Sequence, residues 1–256
     1  MPELPDLEVF AKNLHARLSG KTLDKALYYK PNIAKPALEA LSGLTLEGVT
    51  RDGKETRFAF AKRQSLCVHL MLNGRFSIHQ GDAPRGADAI LRLAFTDGTT
   101  LAVDDEGLLA SAALNKRKPP VPDAFSSAMT PEWLAKSLQG HSGCMKAYLI
   151  DQKLIRGIGN AYADEILYAA RISPKAIACK LPPEAVSALH AAIGDVLRHA
   201  IDVLLKHDAD AIAGEYRDFL AVHVKGKRAA PSGAAIICQR VAGKTTYFTA
   251  EQIVYS

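Results

Sequence analysis

The segment IRGIGNAYADEILYAARISP, Ile155 to Pro174, decides how this chain is read. Gly157 and Gly159 permit a tight turn and close backbone approach. Asn160 opens an apolar-periodic run and is placed to cap a helix predicted over 160–171. Residues 144–152 also read as helix, so the glycines lie in a turn between two helices. A helix N-terminus with open N–H groups binds phosphate. The same spacing also serves plain packing in many helical hairpins, so the phosphate reading needs support from elsewhere in the chain.

Working outward, residues 183–206 are the clearest helix, with Val186, Leu189, Ile193, Val196, Ala200, Ile201 and Leu204 on one apolar stripe. Thr130-Pro131-Glu132 is a capped helix start. Upstream, KRKPPVPDAFSS at 116–127 carries three prolines that forbid regular structure and reads as a linker. Before it the pattern is β-rich. Strands are predicted over 44–51, 56–61, 65–70, 75–79, 90–95 and 100–103, with turn signals at Asp52-Gly53, Asn73-Gly74 and Asp97-Gly98. Such short strands build a sandwich or barrel. A helix over 5–18 precedes them, with Leu7, Phe10, Ala11, Leu14 and Leu18 at helical spacing. After Phe219 the chain turns extended again, and 234–240 and 245–249 flank Val241-Ala242-Gly243-Lys244 as a hairpin.

The whole chain has 256 residues, 48% hydrophobic and 23% charged, which excludes a disordered protein. No apolar stretch is long enough to span a membrane, and MPELPDLEVF lacks the basic start of a signal peptide, which points to the cytosol. The net charge is +5, and residues 223–256 hold five of the basic side chains (Lys225, Lys227, Arg228, Arg240, Lys244) against Glu251 alone. That distribution fits nucleic acid but equally fits a solvated surface. Cys67, Cys144, Cys179 and Cys238 are scattered, so reduced and mostly buried thiols are expected, with neither a disulfide framework nor a zinc knuckle.

The start of the chain is the sharpest chemical feature. Met1 precedes a small residue, so aminopeptidase action should expose Pro2. Its secondary amine would titrate with a pKa of about 7.7–8, far below lysine, and is partly neutral without special burial. Attack on a sugar C1′ gives an iminium ion, an electron sink. Glu3 is a carboxylate placed to move protons beside that amine. Pro2 and Pro5 also serve simply as a helix start. Asp52-Gly53-Lys54 and Gly243-Lys244-Thr245-Thr246-Tyr247-Phe248 each put a lysine on a strand turn, within reach of a phosphate or merely in solvent.

Taken together and in this order, these segments resemble the Fpg/Nei family of bifunctional DNA glycosylases. PELP matches the family's N-terminus, IRGIGNAYADEILYAARISP its helix–two-turn–helix signature, and GKTTYF its hairpin with lysine for arginine. The resemblance spans essentially the whole chain. It implies an α+β fold: an N-terminal helix plus β-sandwich domain over 1–118, a hinge over 119–130, a helix–two-turn–helix domain over 131–222, and a C-terminal β-hairpin finger over 223–256. It implies removal of oxidised or ring-opened bases through an N-terminal proline Schiff base, then β- or β,δ-elimination. Pro2 is then the nucleophile, Glu3 the general acid/base, and Lys54 a phosphate contact that assists elimination. Asn160 grips phosphates flanking an everted nucleotide. Lys244 stands in for the hairpin arginine, and His69 lies near the DNA backbone. The implied partner is DNA with damaged bases or abasic sites; no cofactor, no metal and no membrane is expected, and the protein is expected to be a bacterial-type, nucleoid-associated monomer.

Four departures from the family pattern carry expectations of their own. The positions of the zinc-finger cysteines read Ser232, Ala235, Thr249 and Gln252, so the hairpin is of the zincless kind and is expected to stand on packing alone. The void-filling residues read Leu72 and Leu108-Leu109, which removes the guanidinium that would pair with the orphaned base and favours single-stranded or distorted DNA. Ala209–Arg217 is short, which favours oxidised pyrimidines, ring-opened bases or hydantoins. Lys244 lacks the bidentate fork of arginine, which bears on δ-elimination. The lost zinc and wedge residues favour a non-catalytic damaged- or single-stranded-DNA-binding protein on the same scaffold; intact Pro2, Glu3 and Lys54 favour the enzyme.

Overall fold

The computed structural model describes residues 1–31 and 35–256. The chain divides into two compact units, Met1–Lys118 with Leu204–Glu215, and Pro119–Val203 with Tyr216–Ser256. Residues 204–215, expected inside the 131–222 helical domain, group with the first unit, and the hairpin segment groups with the helices.

The first unit opens with helix α1 (Leu4–Leu18), which starts one residue earlier than its periodicity suggests because Glu3 takes the N-cap. Strand β1 (Leu23–Tyr28) and the short helix α2 (Lys35–Glu39) follow. Then come β2 (Leu46–Asp52), β3 (Glu55–Phe60), β4 (Gln64–His69), β5 (Arg75–Gln80), β6 (Ala89–Phe95), β7 (Thr99–Asp104) and β8 (Ser111–Leu114). They form two four-stranded antiparallel sheets, in the orders β1-β6-β7-β5 and β2-β3-β4-β8. One hydrophobic core draws on both sheets and on Leu7, Phe10, Leu14 and Leu18 of α1, which makes the unit a helix-covered sandwich. Phe58 of β3 and Phe76 of β5 meet across it edge to face, centroids 6.0 Å apart. Each such fully buried side chain is worth about 1.5–3 kcal/mol.

In the second unit α3 (Pro131–Gln139) is capped by Thr130, whose Oγ1 accepts the Trp133 N–H at 3.1 Å. Helices α4 (Met145–Ile150), α5 (Asn160–Ala169) and α6 (Pro183–His207) and the hairpin of β9 (Ile236–Val241) and β10 (Lys244–Thr249) complete the elements used below. Along α6 the buried residues are Val186, Leu189, Ile193, Leu197, Ala200 and Leu204, together with Ala185 and Ala192; Leu197 replaces Val196 and Ile201 of the expected stripe, both half-buried. The expected linker is not a free hinge over its whole length. Asp123 bridges Arg156 in a short parallel pair, the Arg156 N–H donates to the Pro122 carbonyl at 3.0 Å, and its Nε to Val121 at 2.8 Å. Thus the prolines exclude helix but leave their carbonyls as acceptors, and the motif turn uses them. Among the described residues no helix is long and apolar enough to cross a membrane.

Candidate active site

Pro2 and Glu3 are both buried at the head of α1. The Glu3 N–H donates to Asp6 Oδ2 at 2.8 Å in a capping box, so the helix start that competes with the chemical reading is present as well. A carboxylate so placed is fixed at the helix N-terminus, where the macrodipole favours negative charge. Pro2 lines an open pocket of about 350 Å³ together with Leu72, Asn73, Arg75, Gly214 and Glu215. The Met1 ammonium forms an ion pair with Glu215. In this form of the chain the Pro2 nitrogen is an amide.

Lys54 follows Gly53, whose φ of 63° turns β2 into β3. Around it the charges are interlocked: Arg51 Nε donates to Glu8 at 2.6 Å, Arg57 to the Lys116 carbonyl at 2.9 Å, and Lys116 pairs with Glu55. His69 lies within the field of Glu55, Lys54 and Lys116, and burial above all lowers its pKa from the usual histidine value. Its Nδ1 accepts the Met71 N–H at 2.9 Å. The neutral ring therefore carries its proton on Nε2 and offers a donor there without a charge.

The two apolar tips expected at the void-filling positions are held rigidly. Leu72 rides a tight turn in which Met71 has φ 55°, and a Cβ on Gly74 would meet the Leu70 carbonyl oxygen at 2.3 Å. Leu108, at φ 50°, and Leu109 lie on a loop closed by Asp105. Its buried carboxylate accepts N–H groups from Gly107, Leu109 and Ala110 at 3.0, 2.7 and 2.6 Å. Leu72, Leu108 and Leu109 are nonetheless 54%, 49% and 47% exposed, whereas leucines of the core are near zero.

The second unit holds Asn160 and Lys244. Asn160 is the first residue of α5, with Gly159 at the N-cap and Gly157 at φ 100°. Asn160 Nδ2 donates to the carbonyl of Thr245, the residue after Lys244, at 3.0 Å. Its Oδ1 is buried and finds no hydrogen-bond partner among the described residues, a cost of about 1–3 kcal/mol. Lys244 is exposed at the hairpin turn, where Ala242 and Gly243 have φ 50° and 73°. Sequence reasoning did not find what ties these together. Lys146, fully buried, donates at 2.6 Å both to the Asn160 carbonyl and to Asp164 Oδ1. Asp164 Oδ2 in turn takes His223 Nδ1 at 2.6 Å and the Tyr247 N–H of β10 at 2.9 Å. Asp164 falls inside the motif, one helical turn after Asn160, but nothing in the local pattern names partners so far along the chain.

Two expectations about the hairpin and the thiols are corrected. The hairpin does not stand on packing alone. Ser232 donates to Glu251 at 2.7 Å, and Gln252 accepts the Thr249 N–H and donates to the Ile172 carbonyl, both at 2.8 Å. Polar side chains at two of the four expected finger positions, Ser232 and Gln252, thus pin the hairpin. Of the cysteines only Cys67 is buried; Cys144 and Cys179 are half-exposed and Cys238 is exposed, because the edge strand β9 turns its side chain to solvent. Among the described residues no group of three or more His, Cys, Asp and Glu side chains is disposed to hold a metal ion.

A sandwich headed by a proline and a glutamate, and a second unit in which a glycine turn and a hairpin converge, are the two parts of one known class. Residues 1–109 match the model of the formamidopyrimidine-DNA glycosylase N-terminal domain, and residues 121–209 match that of the formamidopyrimidine-DNA glycosylase H2TH domain. The chain belongs to the formamidopyrimidine-DNA glycosylase family. It is 32% identical to the formamidopyrimidine-DNA glycosylase of Enterococcus faecalis over 97% of this chain and 95% of that one. It is 30% identical to that of Exiguobacterium sibiricum over 99% of each. A solved complex between the Lactococcus lactis Fpg and DNA containing an abasic site superposes with a TM-score of 0.85 at 25% identity, covering 97% of this chain and 98% of that one. The wild-type Lactococcus lactis Fpg in complex with DNA containing N7-benzyl-Fapy-dG gives 0.85 at 25% identity over 96% and 97%.

Proposed function

We propose that this protein is a base-excision-repair DNA glycosylase and abasic-site lyase that works through the amine of Pro2 once Met1 is removed. The observation that carries the reading is the placement of buried Pro2 and Glu3 at the head of α1, with Pro2 lining an open pocket. The relatives' names and the DNA in the solved complexes support it. In this reading the neutral Pro2 nitrogen bonds to C1′ of an everted nucleotide, the N-glycosidic bond breaks, and the base leaves with a proton. The sugar ring opens as O4′ takes a proton, giving an iminium ion. Loss of a C2′ proton then expels the 3′ phosphate, and water hydrolyses the iminium to restore the amine. Glu3 is assigned the proton transfers.

Lys54 and Lys244 are assigned phosphates, and Lys54 the support of elimination. Asn160 is assigned the phosphates beside the everted nucleotide, through the second N–H of its amide. His69 Nε2–H is assigned a backbone oxygen. Leu72 and Leu108 are assigned the space the base vacates, where apolar wedges unstack a step. The site of action is the bacterial cytoplasm, on the nucleoid. The exposed leucines lack any group to pair with an orphaned base, and they also suit a second reading, a non-catalytic protein for damaged or single-stranded DNA on this scaffold. Incision of labelled oligonucleotides tests the choice. The enzyme cuts a strand at an abasic site and at an oxidised base; binding to both without any cut selects the second reading. A preference for duplex with strong opposite-base selectivity would contradict the role given to the leucines.

A further inference from the structure

We infer that Lys30 is a positioning residue that decides how well this protein works on a duplex, by locking the loop of Leu108 and Leu109 onto the turn of Leu72 so that the leucines act as one wedge; the inference deepens the glycosylase reading above and rests on it. All three leucines belong to the first unit. The two segments that carry them meet at Ala110, which is fully buried. The Ala110 N–H donates to Asp105 Oδ2 at 2.6 Å, and its carbonyl accepts Lys30 Nζ at 2.6 Å. Its Cβ lies against Gly74, where an added side chain would stand only 3.0 Å from it. Gly74 closes the turn of Leu72, its N–H donating to the Leu70 carbonyl at 2.9 Å.

Asp105 shapes the loop from within, since the N–H groups it accepts belong to Gly107, Leu109 and Ala110. Lys30 holds it from outside. It follows β1 by two residues, and Tyr28, the last residue of β1, accepts the Ala112 N–H on its hydroxyl at 3.1 Å. β1 belongs to one sheet of the sandwich and β8, which starts just after Ala110, to the other. Lys30 therefore ties the root of the wedge loop to the opposite sheet. An ammonium donating to a carbonyl makes a charge-assisted bond, stronger than a neutral one. The loop needs such a tie because Leu108, at φ 50°, sits in a region unfavourable for a residue with a Cβ. A wedge that unstacks a base step gains most when it enters already in shape, and a loop that must order itself on binding gives up part of that gain. A single strand has no partner strand to part, so it asks little of the wedge. With its Nζ directed to a backbone carbonyl, Lys30 is assigned no phosphate.

The test uses protein shown by mass spectrometry to begin at Pro2. Incision at an abasic site is measured in a single strand and in the same strand paired with its complement, for wild type, Lys30→Met, Leu108→Ala and the double variant. Lys30→Met lowers kcat/KM on the duplex by about fivefold or more, the scale of a lost charge-assisted hydrogen bond, and on the single strand by less than about twofold. In the Leu108→Ala background Lys30→Met lowers the duplex value by less than about twofold, since both changes disable the same wedge. The slope of log Kd against log salt is the same for Lys30→Met as for wild type. An unchanged duplex value, an equal fall on both substrates, full additivity with Leu108→Ala, or a slope lower by about one would each overturn the assignment. A wild type that cuts the single strand and never the duplex would overturn it too. Failure of wild type to cut either substrate would instead sink the glycosylase reading itself.

Discussion

His69 shows how one side chain can be both structural and available. Burial lowers its pKa, and Nδ1 is committed to Met71, so folding favours the neutral ring. The unfolded chain then binds the proton more readily than the folded one. This contribution to stability is complete above about pH 6.5, the unfolded value, and is lost as pH falls from there through the depressed folded value. Thermal melts of wild type and His69→Gln across pH 5 to 7.5 should therefore diverge, with the variant showing the shallower acid loss; parallel curves would contradict it. Gly74 is an equally local constraint, because the turn that carries Leu72 leaves a Cβ only 2.3 Å from a backbone oxygen. Gly74→Ala is expected to cost about 2–4 kcal/mol, read as a fall in the denaturant midpoint at unchanged slope.

At the scale of elements, loops are held by single buried carboxylates. Asp105 satisfies three backbone N–H groups of the Leu108 loop, and Asp105→Asn, which turns an amide donor toward one of those N–H groups, should cost about 1–3 kcal/mol and weaken binding to an abasic-site duplex. Asp164 joins the Asn160 helix to the hairpin through Lys146 and the Tyr247 N–H. Asp164→Asn leaves the Lys146 ammonium buried without its counter-charge and should cost about 3–5 kcal/mol, seen in chemical denaturation. Glu165, whose carboxyl pKa burial raises although it accepts N–H groups from Ala221, Val222 and His223, ties the same helix to the chain before the hairpin. The legibility of these elements followed their periodicity. α1, α6, β2 to β7 and the hairpin were readable because their apolar spacing is regular. β1 was not, since a bulge between Leu23 and Lys25 breaks the alternation, and Ser111–Leu114 in β8 is too short and too rich in alanine to read as a strand. Pro2, Glu3, Lys54, Asn160 and Lys244 could be named as candidates from sequence because motif spacing is local. Glu215, Asp105 and the partners of Asp164 were not, because each acts on backbone or charge that only the fold brings near.

Across the whole molecule, the net charge of +5 is modest, and the basic side chains matter by position rather than number. Lys54 and Lys244 are assigned phosphates, so Lys54→Gln and Lys244→Gln should each lower the slope of log Kd against log salt by about one, whereas His69→Gln should leave it unchanged because the ring is neutral. Equal slopes for all three variants would contradict the charge assignment. The proposed chemistry turns on a bond between the terminal amine of Pro2 and a deoxyribose carbon. Borohydride reduction of the protein with an abasic-site oligonucleotide, followed by peptide mass mapping, tests it most directly. A covalent adduct is expected on the N-terminal peptide, at Pro2, and is expected to disappear in protein retaining Met1. An adduct on a lysine, or none at all with DNA binding intact, would contradict it.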